Sequence, residues 1–102
     1  MRASYFNYPK IVKELLKDPN IDVNIQNFNQ KNTALILASK VGRIDVIKIL
    51  LDHHNINWSL KNNDGKVFFD YLKGDEINKT IKYYPEIYKK YLFNKKIDDY
   101  NL

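Results

Sequence analysis

His53 and His54 stand next to each other near the middle of the chain and are its only imidazoles; cysteine is absent. A zinc-type site needs several such ligands converging on one point, and neighbours in sequence point apart unless a loop turns one back. The plainer reading is a helix-to-loop junction, where imidazoles complement the negative end of the helix dipole. No Ser or Thr stands beside a His and an acid at a nucleophile's spacing, and Asp98-Asp99 is expected in a polar tail. Glycine is limited to Gly42, Gly65 and Gly74, too scattered for a phosphate-cradling loop. Without cysteine there is no thiol chemistry and no disulfide. The chain is therefore expected to have no catalytic residue, no metal and no cofactor, and not to be an enzyme.

What remains is chemistry of contact. The chain has 102 residues, a net charge of +5, 44% hydrophobic and 14% aromatic residues, enough to bury the core of one small domain. No apolar run approaches the roughly 20 residues of a membrane span. Met1-Arg2 is followed by polar and aromatic residues and not by the apolar stretch of a signal peptide. A cytoplasmic setting is thus expected, with no membrane among the partners. Residues 73–96 hold seven Lys against three acids, a balance that permits attraction to nucleic acid. However, Asn, Lys, Ile and Tyr together supply 48 of the 102 residues. That bias is typical of AT-rich coding sequence, so the lysine excess is discounted and nucleic acid is not the leading partner.

The elements that must position any contact come from an internal repeat. Sliding the chain against itself by 35 residues lays 1–31 over 36–66 without a gap, and nine positions are identical. They are Ala3/Ala38, Ser4/Ser39, Lys13/Lys48, Leu15/Leu50, Leu16/Leu51, Asn20/Asn55, Ile21/Ile56, Asn27/Asn62 and Lys31/Lys66. In the complete unit, Thr33 is placed to cap a short helix through Leu35, Ile36 and Leu37 into the small pair Ala38-Ser39. Gly42 is placed to end it. A second helix follows, with Ile44, Ile47, Leu50 and Leu51 turned inward and Asp45, Lys48 and Asp52 turned to water. Next come a segment containing Trp58, predicted in the core in the slot of Val23, and the turn Asn62–Lys66, whose Asp64-Gly65 pair signals a hairpin.

These residues resemble the ankyrin repeat. The family's Thr-Pro-Leu-His-x-Ala-Ala-x-x-Gly pattern is met by Thr33, Leu35, Ala38 and Gly42. Its apolar second helix is met by Leu50 and Leu51, and its closing loop by Asp22-Val23-Asn24. Departures are Ala34 for Pro, Ile36 for His, and a loop at Phe28–Asn32 that has one extra residue and no glycine. Without the His an inter-repeat hydrogen bond of the family is lost, and Ile36 is expected to replace it by apolar packing. After Val67 the pattern decays: 67–73 fill the first-helix slot but put Lys73 where a small residue belongs, 75–84 offer a second helix, and Pro85 starts a last one using Ile87, Tyr88, Tyr91 and Leu92. The resemblance implies an all-α helix-turn-helix solenoid with hairpin loops. Its expected parts are a partial repeat (1–26), a full repeat (27–61), a degenerate repeat (62–84) and a C-terminal capping helix and tail (85–102).

It also implies a function, protein–protein recognition through hairpin tips and the concave face of the first helices. Those positions are Phe28, Asn29, Gln30, Lys31, Lys40, Val41, Asn63, Asp64 and Lys66. Phe28 is the sharpest candidate, because hot spots favour aromatics; otherwise its ring folds back onto the adjacent hairpin. Similar short, AT-biased ankyrin proteins occur in large DNA viruses and intracellular bacteria, which would place the chain in a host cytoplasm against a host protein. Two other classes compete. By the repeat register Met1 aligns with Ile36, so the chain is expected to enter inside a first helix. Met1, Ala3, Phe6 and Ile11 then form an edge for self-association into a homo-oligomer. A basic nucleic-acid module would instead use Lys79, Lys82, Lys89 and Lys90 with the intervening tyrosines.

Overall fold

The computed structural model describes the backbone of residues 9–100 and the side chains of residues 9–97. It contains α1 (Pro9–Leu16), α2 (Ala34–Lys40), α3 (Ile44–Leu51), a 3-10 turn (Phe68–Tyr71), α4 (Asp75–Tyr83) and α5 (Pro85–Tyr100), with no strand among the described residues. The chain divides into two compact units, the first running to Leu72 and the second beginning at Lys73. That boundary cuts through the expected degenerate repeat, leaving the 3-10 turn in the first unit and α4 in the second.

In the first unit α3 packs against both α1 and α2, and α2 also packs against the 3-10 turn. The 35-residue register is kept to the residue, since Pro9–Leu16 shifted by 35 is Ile44–Leu51. Helix α2 begins as its sequence dictates: the Thr33 hydroxyl oxygen accepts the Ile36 N–H at 3.1 Å. It ends in a Schellman motif. Gly42 takes φ 72°, the Gly42 N–H reaches the Ser39 carbonyl, and the Arg43 N–H reaches the Ala38 carbonyl at 2.9 Å. The Ser39 hydroxyl donates to the Leu35 carbonyl at 2.8 Å, so the buried small pair leaves no orphaned oxygen. Ile36, at the histidine position of the repeat, is buried as expected of an apolar replacement.

Two sequence expectations need adjusting in this unit. On α3 the inward face is Val46, Ile47, Leu50 and Leu51, while Ile44 is only half-buried. Ile44 is the first residue of the helix. The next first-helix slot is a single 3-10 turn and not an α-helix. Val67, the counterpart of Thr33, offers no side-chain acceptor; the Val67 N–H instead donates to the Asp70 carboxylate at 2.9 Å. The backbone is already extended at Leu72, with ψ 146°. Phe68 and Phe69 are buried, and Trp58, half-buried, meets Phe68 edge-on at 6.3 Å between ring centroids.

In the second unit α4 packs on α5. Helix α4 carries Asp75 and Glu76 in its first turn and Lys82 in its last, matching the dipole. Pro85 cannot continue it, and takes the first position of α5, where its missing N–H costs nothing. Ile87, Tyr88 and Tyr91 are half-buried, whereas Leu92, expected inward, is exposed. Asp98-Asp99 was expected in a tail, but α5 is helical through Tyr100.

Candidate protein-recognition site

The hairpin tips are built from asparagine. In the second hairpin, Gly65 N–H closes a turn on the Asn62 carbonyl at 2.9 Å, and Asn62 N–H donates to the Lys66 carbonyl at 3.0 Å. Gly65 has φ 71°, which makes this a three-residue hairpin with its left-handed residue in the usual place. The first hairpin is one residue longer. Lys31 N–H donates to the Asn27 carbonyl and Asn27 N–H to the Asn32 carbonyl at 2.8 Å. With no glycine available, Lys31 itself takes the left-handed conformation at φ 61°.

Inside both loops one amide oxygen does the same work. Asn27 Oδ1 accepts the Gln30 and Asn32 N–H groups at 3.2 and 3.0 Å; Asn62 Oδ1 accepts those of Asp64 and Lys66 at 3.0 and 3.1 Å. The two hairpins are then stapled to each other. Asn63 N–H donates to the Gln30 carbonyl at 2.9 Å, and Asn63 Nδ2 to the Asn29 carbonyl at 3.0 Å. Deeper in, Asn62 Nδ2 donates to Asn32 Oδ1 at 2.9 Å and to the Tyr71 hydroxyl at 2.8 Å. Gln26 Nε2 bridges the Lys31 and Lys61 carbonyls at 3.0 and 2.9 Å. At the helix-exit loops, Asn24 Nδ2 donates to the Asn55 carbonyl and Asn24 Oδ1 accepts the Asn57 N–H at 2.7 Å.

The histidine pair finds its place in the same scheme. Asp18 Oδ1 accepts the Asn20 N–H at 2.9 Å, and 35 residues on His53 Nδ1 accepts the Asn55 N–H at 3.1 Å. His53 is thus a turn-former replacing a carboxylate, with His54 stacked on it at 4.6 Å.

Against this framework the predicted contact residues separate. Phe28 does not fold back: its side chain is 98% exposed, beside exposed Asn29, Gln30 and Lys31. The Asn63 bonds bring that tip together with exposed Asn63, Asp64 and Lys66. The amide of Asn63 is committed to the staple. Lys40 and Val41 lie at the far end of α2, about 10 Å of helix away. The Lys40 ammonium sits 5.4 Å from the centre of the Tyr71 ring, and Val41 is half-buried. At the N-terminal edge Ile11 is 52% exposed, while Met1, Ala3 and Phe6 lie outside the described residues. Gln26, Asn32 and Tyr71 carry no signal in the sequence, and Asn24 and Asn62 stand out only as a closing-loop match and a repeat identity, not as staples.

Paired helices, a left-handed glycine closing the first of them, and hairpins stapled at a 35-residue interval define a protein built of ankyrin repeats. Comparison with known families agrees: residues 1–79 match the family described as ankyrin repeats (3 copies), and the chain belongs to that family. Over 62 residues, 60% of the chain, it is 37% identical to the glycerophosphocholine phosphodiesterase GDE1 of Candida albicans. That stretch is only 5% of the phosphodiesterase. In fold it is similar to the crystal structure of the Osh1 ANK domain from Kluyveromyces lactis, with a TM-score of 0.65 and 24% identity. The match covers 87% of this chain and 41% of that one. Ankyrin repeats are in general non-catalytic protein–protein interaction modules, and no helix among the described residues is long and apolar enough to cross a membrane.

Proposed function

We propose that this chain recognises a partner protein through the paired hairpin tips, with Phe28 as the anchor and Asn29, Gln30, Lys31, Asp64 and Lys66 around it. Lys40 and Val41 extend the surface along the helix face. The observation that carries this reading is a large apolar ring held almost wholly in water on a loop that is tied to its neighbour. An exposed aromatic on an ordered loop is a ready hot spot. A stapled platform also binds without first paying the entropy of ordering its loops. Affinity capture with wild type and Phe28→Ala tests it. The variant is expected to lose its partner by tenfold or more (about 1.4 kcal/mol or above), with unchanged thermal stability. A partner retained equally well removes Phe28 from the site.

A second reading is favoured by one observation. Ile11 and Leu15 are half exposed, whereas their repeat counterparts Val46 and Leu50 are buried. An apolar edge of this kind suits self-association, in line with the predicted role of Ile11. Light scattering over a concentration series decides it: a monomer throughout removes self-association, and a dimer lost on Ile11→Asp supports it.

A further inference from the structure

The staple between the hairpins uses up acceptors and donors unevenly. In residues 27–32 every backbone carbonyl except that of Phe28 receives a hydrogen bond. Asn27 takes the Lys31 N–H and Asn32 the Asn27 N–H, while Asn29 and Gln30 take the two Asn63 donors and Lys31 takes Gln26 Nε2. The side-chain oxygens of Asn27, Gln30 and Asn32 are engaged as well, that of Gln30 by Asn32 Nδ2 at 3.0 Å. The donors are left open. Asn27 and Asn62 begin the two loops, so Phe28 and Asn63 follow at the same place. Asn63 N–H has the Gln30 carbonyl, whereas Phe28 N–H has no acceptor among the described residues. The same holds for the Asn29 N–H, Gln30 Nε2 and the Lys31 ammonium. All four residues are exposed, and so is Lys66. The tip thus presents to solvent a bare ring surrounded by hydrogen-bond donors. Charge has the same sense: Lys31, Lys40 and Lys66 stand against Asp64 in the proposed surface, on a chain of net charge +5.

We propose that the partner offers this tip an acidic peptide segment. A hydrophobic side chain of that segment packs on Phe28, and carboxylates beside it accept from the Phe28 and Asn29 N–H groups and pair with Lys31 and Lys66. The proposal rests on the hairpin tips being the recognition site and names the chemistry that binds there. An ionised carboxylate only accepts, so it suits a surface of open donors. Its bonds to backbone N–H groups are of the stronger, charge-assisted kind. Because the staple already holds the loop, those N–H groups are fixed before the segment arrives. Net positive charge also steers an acidic segment toward the chain. Nucleic acid fits the tip less well. A single strand is tracked by a groove of cations with several rings to stack on, and residues 27–32 hold one ring and one lysine.

Panning a random-peptide phage library on the full chain tests it, with Phe28→Ala panned in parallel. Peptides that require Phe28 are expected to be enriched in Asp and Glu next to a hydrophobic residue. The best of them, made synthetically, is then measured by fluorescence anisotropy. Lys31→Gln and Lys66→Gln together should weaken it about fivefold, the scale of two exposed ion pairs. Asp64→Asn should tighten it about twofold, a change that loss of folding cannot mimic. Asn29→Asp keeps the stapled backbone carbonyl and sets a carboxylate into the tip. It should weaken binding about tenfold, against about twofold for Asn29→Ala, because like charges repel across an interface. Peptides that depend on Phe28 but show no acidic enrichment, or equal affinity for Asn29→Asp and Asn29→Ala, overturn the acidic partner and leave the recognition site standing. A library that yields no Phe28-dependent peptide overturns both. A single-stranded oligonucleotide that displaces the peptide at equal or lower concentration would assign the tip to nucleic acid instead.

Discussion

Helices α1 and α3 occupy the same eight positions of the repeat and share Leu-Leu at the same place, yet they are not equivalent in energy. Val12 and its counterpart Ile47 are both buried, but Leu15 is 47% exposed where Leu50 is 1% exposed. Among the described residues α3 has packed helices in both α1 and α2, while Ile11 and Leu15 on α1 keep about half of their surface exposed. A repeat motif specifies what a position can do; the adjacent units decide what it contributes.

Truncation of the two leucines separates these most strongly. Leu50→Ala should cost about 2–5 kcal/mol of stability by chemical denaturation, the range for a buried leucine. Leu15→Ala should cost under about 1 kcal/mol, as expected of a half-exposed side chain. Equal losses would mean that α1 is covered in solution, and would favour the self-association reading.

The hairpins give the next contrast. Asn62 is buried and its amide serves both its own loop and the neighbouring one, so Asn62→Ala strips partners from two backbone N–H groups, Asn32 and Tyr71. A loss of about 2–3 kcal/mol is expected, by the cost of unmaking buried hydrogen bonds. Asn27, less buried, makes only the intraloop pair, and Asn27→Ala should cost about 1 kcal/mol.

The smallest contrast is conformational. Gly65 and Lys31 share a left-handed backbone, and a Cβ on Gly65 would meet nothing within 4 Å. Any penalty for Gly65→Ala is therefore backbone strain alone, about 1 kcal/mol. Lys31→Gly should relieve the same strain and raise the melting temperature by a few degrees, about 1 kcal/mol in a domain of this size. A destabilised Lys31→Gly would show that the lysine side chain supports the loop.

Much of this was legible before any coordinates. The period of 35, the Thr33 cap, the Gly42 stop and the second hairpin at Asp64-Gly65 are local signals, and each has its expected geometry. What the sequence concealed depends on long-range pairing. Asn27 and Asn62 were visible as repeat identities, but that Asn62 reaches across to Asn32 and Tyr71 follows only from the stacking of one hairpin on the next. The 3-10 turn at Phe68–Tyr71 was likewise hidden, because apolar spacing cannot distinguish a short α-helix from a tighter turn. Leu92 is exposed although its spacing groups it with Ile87, Tyr88 and Tyr91, because α5 has apolar residues on two sides. Phe28 was identified by type and loop position alone; its exposure is a matter of where the ring points.

The account rests on a platform whose two tips are held together before any partner arrives, and Asn63 reports on that directly. Its backbone N–H belongs to an exposed loop residue yet donates to the Gln30 carbonyl of the other hairpin. Native-state amide hydrogen exchange should find this proton protected about as well as the core of α3, since opening it requires separating the repeats. Exchange at the rate of an unstructured loop would contradict the stapled platform, and with it the proposed recognition surface built on Phe28.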